Sequence, residues 1–191
     1  MDSGQRQYLE QRHAVRQWHG QGAANLRMIT DFAFTGSELS GWTLLRASRE
    51  ERHTPPAFHS LWHRGDPTAE LLSIDFWVCA SVAAAHDQLI EALANIQSDA
   101  VERHHGLGDI AFALSDRMAL FARVNVAVLI RNAGPKTVEV DHVSRLSTAF
   151  WSDYRMAVDP DLAREGNGDK ARIWGNFPPP SRAGYRRRSG R

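Results

Sequence analysis

The feature that most constrains the fold is a strict alternation of side chains in the second half of the chain. Over residues 118–131, alternate positions are aliphatic, and most of the positions between them are polar, charged or bulky. Because successive side chains of a β-strand point to opposite faces, this pattern predicts one long strand with one face on a core. The aliphatic series is Leu120, Ala122, Val124, Val126, Val128 and Ile130; the other includes Phe121, Arg123, Asn125, Leu129 and Arg131.

A second alternating segment covers residues 71–80. Its aliphatic and aromatic series, including Leu72 and Phe76, alternates with a series that contains Asp75, Trp77 and Cys79. Turn residues such as Pro55, Pro56 and Gly65 bound further runs of strand type. We therefore predict five strands, at residues 42–49, 57–64, 71–80, 110–114 and 118–131.

Helical periodicity predicts helices over residues 4–19, 23–34, 82–97 and 137–156. Ser81 is a suitable N-cap for the third of these helices. The predicted fold is an α+β two-layer sandwich of order β-β-β-α-β-β-α, mostly antiparallel and preceded by an N-terminal helical segment. The expected organisation is an N-terminal segment (1–36), a core domain (37–158) and an irregular basic tail (159–191), disordered at its end.

The composition excludes several classes of protein. With 191 residues, 42% of them hydrophobic, the chain can form a core without covalent cross-links. The single cysteine, Cys79, excludes intramolecular disulfides and cysteine-based zinc clusters, and we expect it to be a small buried hydrophobe. No phosphate-binding loop, dinucleotide fingerprint or nucleophile elbow occurs, so no cofactor is expected.

Neither a secretory signal nor a membrane span is predicted. The N-terminal residues are polar and charged, and Asp75, Arg123 and Asn125 interrupt the longest apolar stretches. Together with the single cysteine, this indicates a cytoplasmic protein of bacterial type.

Charge is distributed unevenly along the chain. All 22 acidic residues and 16 of the 23 basic residues fall within 1–169, which therefore carry a net charge of −6. The remaining seven basic residues lie in 170–191. Such a tail could contact nucleic acid, fold onto the acidic body or hold an acidic partner, and the charge of the body disfavours nucleic acid.

If the later helices cover the aliphatic face of the sheet, its other face collects the side chains best suited to binding. These are Asp75 and Trp77 from one strand and Phe121, Arg123 and Asn125 from the long strand. A carboxylate, a guanidinium and an amide among aromatic rings predict a site for a small polar ligand or a protein partner. Alternatively, Asp75 pairs with Arg123 beneath the N-terminal helix, or this face forms a homodimer interface.

The nine histidines are candidates for metal ligands and for catalytic groups. His59 and His63 are separated by about 13 Å on a strand, too far for one tetrahedral ion, so no metal site is predicted. His104 and His105 precede a glycine-containing loop, where either imidazole could act as an acid–base group oriented by Asp109. Solvated loop histidines are the alternative.

These features favour a non-catalytic binding or accessory protein that uses an open sheet face for a protein partner, a small ligand or a second copy of itself. The alternative is a small pocket-type enzyme with Asp75, His104 or His105 as its acid–base group. A nucleic-acid-binding role for the tail ranks third.

Overall fold

The computed structural model describes residues 1–18, 28–30, 32–36, 38–96, 99–104, 107–115 and 117–140. The chain divides into two compact units, Met1–Arg155 and Met156–Arg191, and every described residue belongs to the first unit. The predicted basic tail and nearly all of the helix predicted over 137–156 lie outside the described residues. The predicted domain boundaries remain predictions.

The first unit is built on a seven-stranded antiparallel sheet with the strand order β1-β2-β3-β7-β6-β5-β4. This confirms the α+β class and corrects the predicted count of five strands. The strands are β1 (Thr43–Glu50), β2 (Ala57–Arg64), β3 (Glu70–Val78), β4 (Glu102–His104), β5 (Ile110–Leu114), β6 (Met118–Arg123) and β7 (Val126–Asn132). The helices are α1 (Ser3–Arg12) and α2 (Val82–Ile96), with a 3₁₀ turn at Val15–Trp18.

The count was wrong chiefly because the predicted long strand is a hairpin. The chain reverses at Val124 and Asn125, so Arg123 pairs with Val126, and Phe121 pairs with Val128. Val124 adopts a φ of 52°, which is rare for a β-branched residue. Valine occupies the left-handed position where glycine is usual, so the sequence does not reveal this turn. The other missed strand, β4, has only three residues.

The two-residue reversal changes which side chains share a face. Leu120 now lies on the same face as Leu129, whereas Phe121 lies on the same face as Val128. The supposedly continuous aliphatic series is therefore divided between the two faces of the sheet.

Both faces of the sheet carry a buried core. On the helix face, α2 packs against β6 and β7, and α1 packs against α2. The opposite face is aliphatic and aromatic, and its core includes Phe32, Leu39 and Trp42 from the segment before β1. The expectation that helix α2 covers the aliphatic face of β3 is wrong. Helix α2 packs instead on the other face of the sheet, where its neighbours include Leu120 and Leu129.

Capping and packing explain the two described helices. Ser81 Oγ accepts a hydrogen bond from Ala84 N (3.1 Å), which confirms the predicted N-cap of α2. Asp2 caps α1 in the same way through Gln5 N (2.8 Å). The apolar stripe of α2, including Ala85, Leu89 and Leu93, lies on the helix-face core.

The N-terminal segment contains less helix than predicted. Helix α1 ends at Arg12, and Ala14 at φ 51° turns the chain into the 3₁₀ segment that buries Trp18. Within 23–34, the described residues 28–30 and 32–34 are not helical. The buried side chains of Ile29 and Phe32 instead belong to the core of the opposite face.

Strand β1 forms one edge of the sheet, and its pairing with β2 contains a β-bulge. Leu44 pairs with Trp62 and Arg46 with Leu61, so Leu45 is an extra residue. The side chain of Leu45 is exposed. Among the described residues, no helix is long and apolar enough to cross a bilayer.

Candidate functional site

The structure separates the side chains that were expected to form one site. Asp75 pairs with Leu129 and therefore lies on the helix face. Arg123 pairs with Val126, a member of the opposite core. Asp75 and Trp77 thus lie on one face of the sheet, and Phe121 and Arg123 lie on the other. The expectation of a shared pocket is wrong, because the reversal at Val124 moves Arg123 to the far face.

On the opposite face, Phe121 lies in the interior and Arg123 is half-buried. Phe121 is fully buried within the core. Partial burial lowers the pKa of the Arg123 guanidinium, while the nearby charge of Asp109 raises it.

Asn125 joins three segments of the chain. Its Oδ1 accepts a hydrogen bond from Ile29 N (2.9 Å), and its Nδ2 donates to Ile29 O (2.7 Å) and Cys79 O (2.8 Å). The residue is 1% exposed. Both N–H groups of the amide are used within the fold, so the structure gives Asn125 a structural role.

The histidine-loop candidates are only partly described. His105 lies outside the described residues, and His104 closes β4 opposite Ala111. Asp109 Oδ2 accepts a hydrogen bond from Val124 N (2.6 Å) and so supports the β6–β7 turn. The predicted catalytic role of these residues remains a prediction.

Among the described residues, the side chains on the part of the helix face beside α2 are largely exposed. We call the helix-side surface of β1, β2 and β3 the open half-face. Its side chains are at least partly exposed, except those of Ala57 and Asp75. Trp77 borders this surface where it meets the core under α2. The exposed polar side chains are therefore concentrated on the strands farthest from the helix.

Asp75 organises the open half-face. Its Oδ1 contacts His59 Nδ1 at 2.9 Å, and its Oδ2 accepts a hydrogen bond from Arg131 Nη2 at 2.5 Å. The Asp75 side chain is 10% exposed, whereas those of His59 and Arg131 are 38% and 48% exposed. A buried carboxylate thus fixes an imidazole and a guanidinium that remain accessible to solvent.

The carboxylate also determines which nitrogen of His59 carries a proton. An ionised Asp75 can only accept hydrogen bonds, so Nδ1 of His59 must be the donor. The other ring nitrogen, Nε2, lies 3.7 Å from Glu50 Oε2. Glu50 Oε2 is also 3.0 Å from Nε2 of His53. The polar network therefore extends from Arg131 to the β1–β2 loop.

A small residue, Ala57, lies beside this network. Ala57 pairs with Glu50 on one side and with Trp77 on the other, all on the helix face. His59 and Asp75 occupy the next helix-facing positions along their strands. Ala57 is 3% exposed, so the larger side chains around it cover this position.

The other candidates for a chemical site, a metal centre and a reactive thiol, have little support in the structure. In the described ranges, no group of three His, Cys, Asp or Glu side chains is arranged to hold a metal ion. Burial raises the pKa of the Cys79 thiol to about 12, so the thiol is protonated and a poor nucleophile near neutral pH.

Comparison with known proteins assigns no family. No protein-family model matches the chain, and no curated protein or solved structure shows significant similarity to it. Functional inference therefore depends on the geometry described above.

Proposed function

We propose that this chain is a non-catalytic binding protein whose open half-face holds an acidic segment of a partner protein. The observation that carries the proposal is the buried Asp75 carboxylate, which fixes the accessible groups of His59 and Arg131. Preorganised side chains lose less conformational entropy on binding than free ones.

The charge of the surface favours an acidic partner. Arg46 and Arg131 present positive charge on the row of side chains that crosses the sheet through Leu61 and Ser73. The exposed carboxylate of this region is that of Glu50, because Asp75 is buried and paired with Arg131. Residues 1–169 carry −6 in total, whereas the row through Leu61 and Ser73 carries two arginines and no carboxylate.

The guanidinium of Arg131 has donors left for a partner. Arginine carries five N–H groups in a planar fork. Among the described residues, Arg131 makes one side-chain hydrogen bond, from Nη2 to Asp75. A partner carboxylate can take a further edge of the fork in a charge-assisted pair. The breadth and openness of the surface suit a protein segment better than an enclosed small molecule.

The first test uses a fluorescently labelled glutamate-rich peptide, with a lysine-rich peptide of equal length as its control. Arg131→Gln is expected to weaken binding of the acidic peptide about 10–100-fold, the effect of losing one charge-assisted hydrogen bond. The matched control is Arg117→Gln, which removes an exposed arginine from the β5–β6 turn. Anisotropy titrations measure the affinities, and amide NMR shifts should cluster on β2 and β3.

Other results would contradict the proposal in identifiable ways. Equal losses in Arg117→Gln and Arg131→Gln would show non-specific attraction. Displacement of the peptide by free glutamate at similar concentration would identify a small-molecule site instead. An increase in mass that Arg131→Gln abolishes, seen by light scattering, would make a second copy of this chain the partner.

A second candidate function, a small enzyme, is supported by the His59–Asp75 contact of 2.9 Å. A carboxylate that orients an imidazole in this way is the arrangement of a general base. The acid–base group would then be His59, with Asp75 as its orienting partner. In the part of the chain that the structure describes, no serine, threonine or cysteine side chain hydrogen bonds to His59, which favours the binding role.

The two functions can be separated with one variant. His59→Gln should abolish turnover of any hydrolytic substrate found by screening, if His59 is a base. The same variant should reduce affinity for the acidic peptide only modestly, since Arg131 retains its bond to Asp75. Loss of turnover with retained peptide binding would establish the enzyme function.

A further inference from the structure

A cleft of about 540 Å³ lies at the ends of strands β2 and β3, and neither Asp75 nor Arg131 lines it. Four parts of the chain form its walls: the segment Met28–Thr30, the β1–β2 hairpin, the end of β3 and one side of α2. Its volume lies within the range of about 300–1,000 Å³ that is typical of small-molecule sites.

Much of the wall is apolar. Phe58, Pro55 and Val78 contribute from the strands and the hairpin, and Ala84 contributes from α2. Met28 also lines the cleft and is 51% exposed. An unbranched methionine side chain adapts its shape to what it contacts. The wall therefore favours a ligand with a compact apolar body, which would bury this surface.

The interior polar groups of the cleft are used within the fold. Burial raises the pKa of the Cys79 thiol to about 12, so this lining group is neutral. The Asn125 amide also lines the cleft, and both of its N–H groups donate to backbone carbonyls, those of Ile29 and Cys79. The selection of a ligand by charge must therefore come from the charged side chains around the cleft.

Among the described residues, three charged side chains line the cleft, and two of them already have counter-charges. Arg49 Nε lies 3.6 Å from Glu51 Oε1, within the β1–β2 hairpin. On α2, Asp87 pairs with Arg6 of α1. The charges of Arg49 and Asp87 are thus matched by the protein itself and do not select a ligand.

Glu91 of α2 is the third charged side chain of the lining, and it is exposed. It makes no ion pair or hydrogen bond with any described residue. Glu91 and Ala84 are seven residues apart, so they lie two turns apart on one side of the helix, at a distance of about 10 Å along its axis. Helix α2 therefore presents an apolar position and an uncompensated carboxylate to the same cleft.

We infer that this cleft binds a small organic cation, an ammonium group joined to a compact apolar body. The Glu91 carboxylate accepts hydrogen bonds from the ammonium group, and the wall around Met28 and Ala84 takes the apolar body. An anionic ligand would be repelled by Glu91, and a neutral one would leave its charge without a partner. The inference is independent of the open half-face, which is proposed to prefer the opposite charge.

The test uses three probes that share one apolar body, titrated into the full chain by calorimetry or NMR. They are 4-phenylbutylamine, 4-phenyl-1-butanol and 4-phenylbutyrate, which are a cation, a neutral molecule and an anion at pH 7. The amine should bind about 5–10-fold more tightly than the alcohol, an effect between that of an exposed ion pair and that of a buried charge-assisted hydrogen bond. The anion should bind most weakly.

Removing the carboxylate should remove this preference. Glu91→Gln should lower the affinity for the amine to about that of the alcohol and leave the affinity for the alcohol unchanged. The matched control is Glu102→Gln, which removes an exposed carboxylate from β4, outside the lining, and should change none of the three affinities. A preference for the amine that persists in Glu91→Gln would overturn the inference.

A steric pair locates the ligand. Ala84→Phe fills the wall and should abolish binding of the amine, whereas Ala83→Phe adds the same ring at an exposed position outside the lining and should not. Equal effects of these two variants, equal affinity for the amine and the alcohol, or no binding at millimolar concentration would also overturn the inference. Thermal midpoints close to that of the parent chain would show that each variant is folded.

Discussion

Side chains that are polar and isolated in the sequence prove to be connectors in the structure. Asn125 was expected to contact a ligand, and it instead joins Ile29, Cys79 and the β6–β7 turn. Sequence periodicity could not reveal this, because Val124 is a strong strand former placed in a left-handed turn. The β-branched residue kept the alternation intact through the reversal and so concealed it.

Asn125→Asp tests this connecting role. The substitution replaces the donating Nδ2 group with an acceptor facing two backbone carbonyls at 2.7 and 2.8 Å. Each buried acceptor left without a donor costs about 1–3 kcal/mol, so the free energy of unfolding should fall by several kcal/mol. Asn95→Asp, at an exposed position of α2, should change it by less than about 1 kcal/mol. Similar urea midpoints for the two variants would contradict the role.

The network around Asp75 was half visible in the sequence. Alternation correctly placed Asp75 and Trp77 on one side of β3, which the pairings confirm. The partners of Asp75 are His59 and Arg131. Both partners depend on the pairing register across three strands, and a one-residue change in register would replace them. The sequence pattern presents His59 only as a candidate metal ligand, together with His63.

At the scale of elements, the local sequence pattern predicted the ends of helices and strands well wherever the tertiary packing favours the same secondary structure as the residues' intrinsic propensities. Strands β2 and β5 and helix α2 lie within about two residues of their predicted limits, the usual uncertainty of such assignments. The N-terminal segment was the exception. Ala14 at φ 51° ends the helical path, and burial of Trp18 against His86 and Phe112 stabilises the 3₁₀ segment beyond it.

The docking of this segment should respond to pH through His13. Burial, followed by the charges of Arg12 and Arg103, lowers the pKa of His13 below its usual value of 6.5. The unfolded chain therefore takes up the proton first as the pH falls. The contribution of neutral His13 to the free energy of unfolding is therefore complete above pH 6.5. It is lost as the pH falls from 6.5 through the lowered pKa of His13 in the folded state.

His13→Gln is expected to reduce the loss of stability between about pH 7.5 and 5, since glutamine does not titrate in this range. Thermal unfolding of the two proteins at both pH values measures the difference. His63→Gln provides the control, because His63 lies on β2 and its Nδ1 contacts the carbonyl of Gly65 at 3.1 Å, away from the docked segment. A pH dependence unchanged by His13→Gln would assign the effect to other groups.

At the scale of the whole unit, the sheet consists of two meanders joined at one seam. Strands β1 to β3 form the first meander and β4 to β7 the second, and β3 pairs with β7. The sequence predicted strands joined by short turns but not this order, because pairing between distant strands leaves no local pattern. The seam combines residues about fifty positions apart, which slows folding relative to local pairing.

Ile130→Ala should show that the seam couples both meanders. Ile130 is fully buried, pairs with Ile74 across the seam and pairs with Ala119 in the second meander. Its truncation should cost about 2–5 kcal/mol. Hydrogen exchange should accelerate in β2 and β6 together. Leu45→Ala, at an exposed position, should cost little, and acceleration confined to β6 would indicate meanders that unfold separately.

The bulge at Leu45 has a consequence for how this molecule behaves in a crowded solution. An uninterrupted outer strand presents a regular row of amides and carbonyls that another chain can extend, which is the first step towards fibrils. The extra residue, with Arg46 and Arg49 on the same strand, breaks that regular spacing and places charge along it. Deleting Leu45 would restore a continuous template for polymerisation.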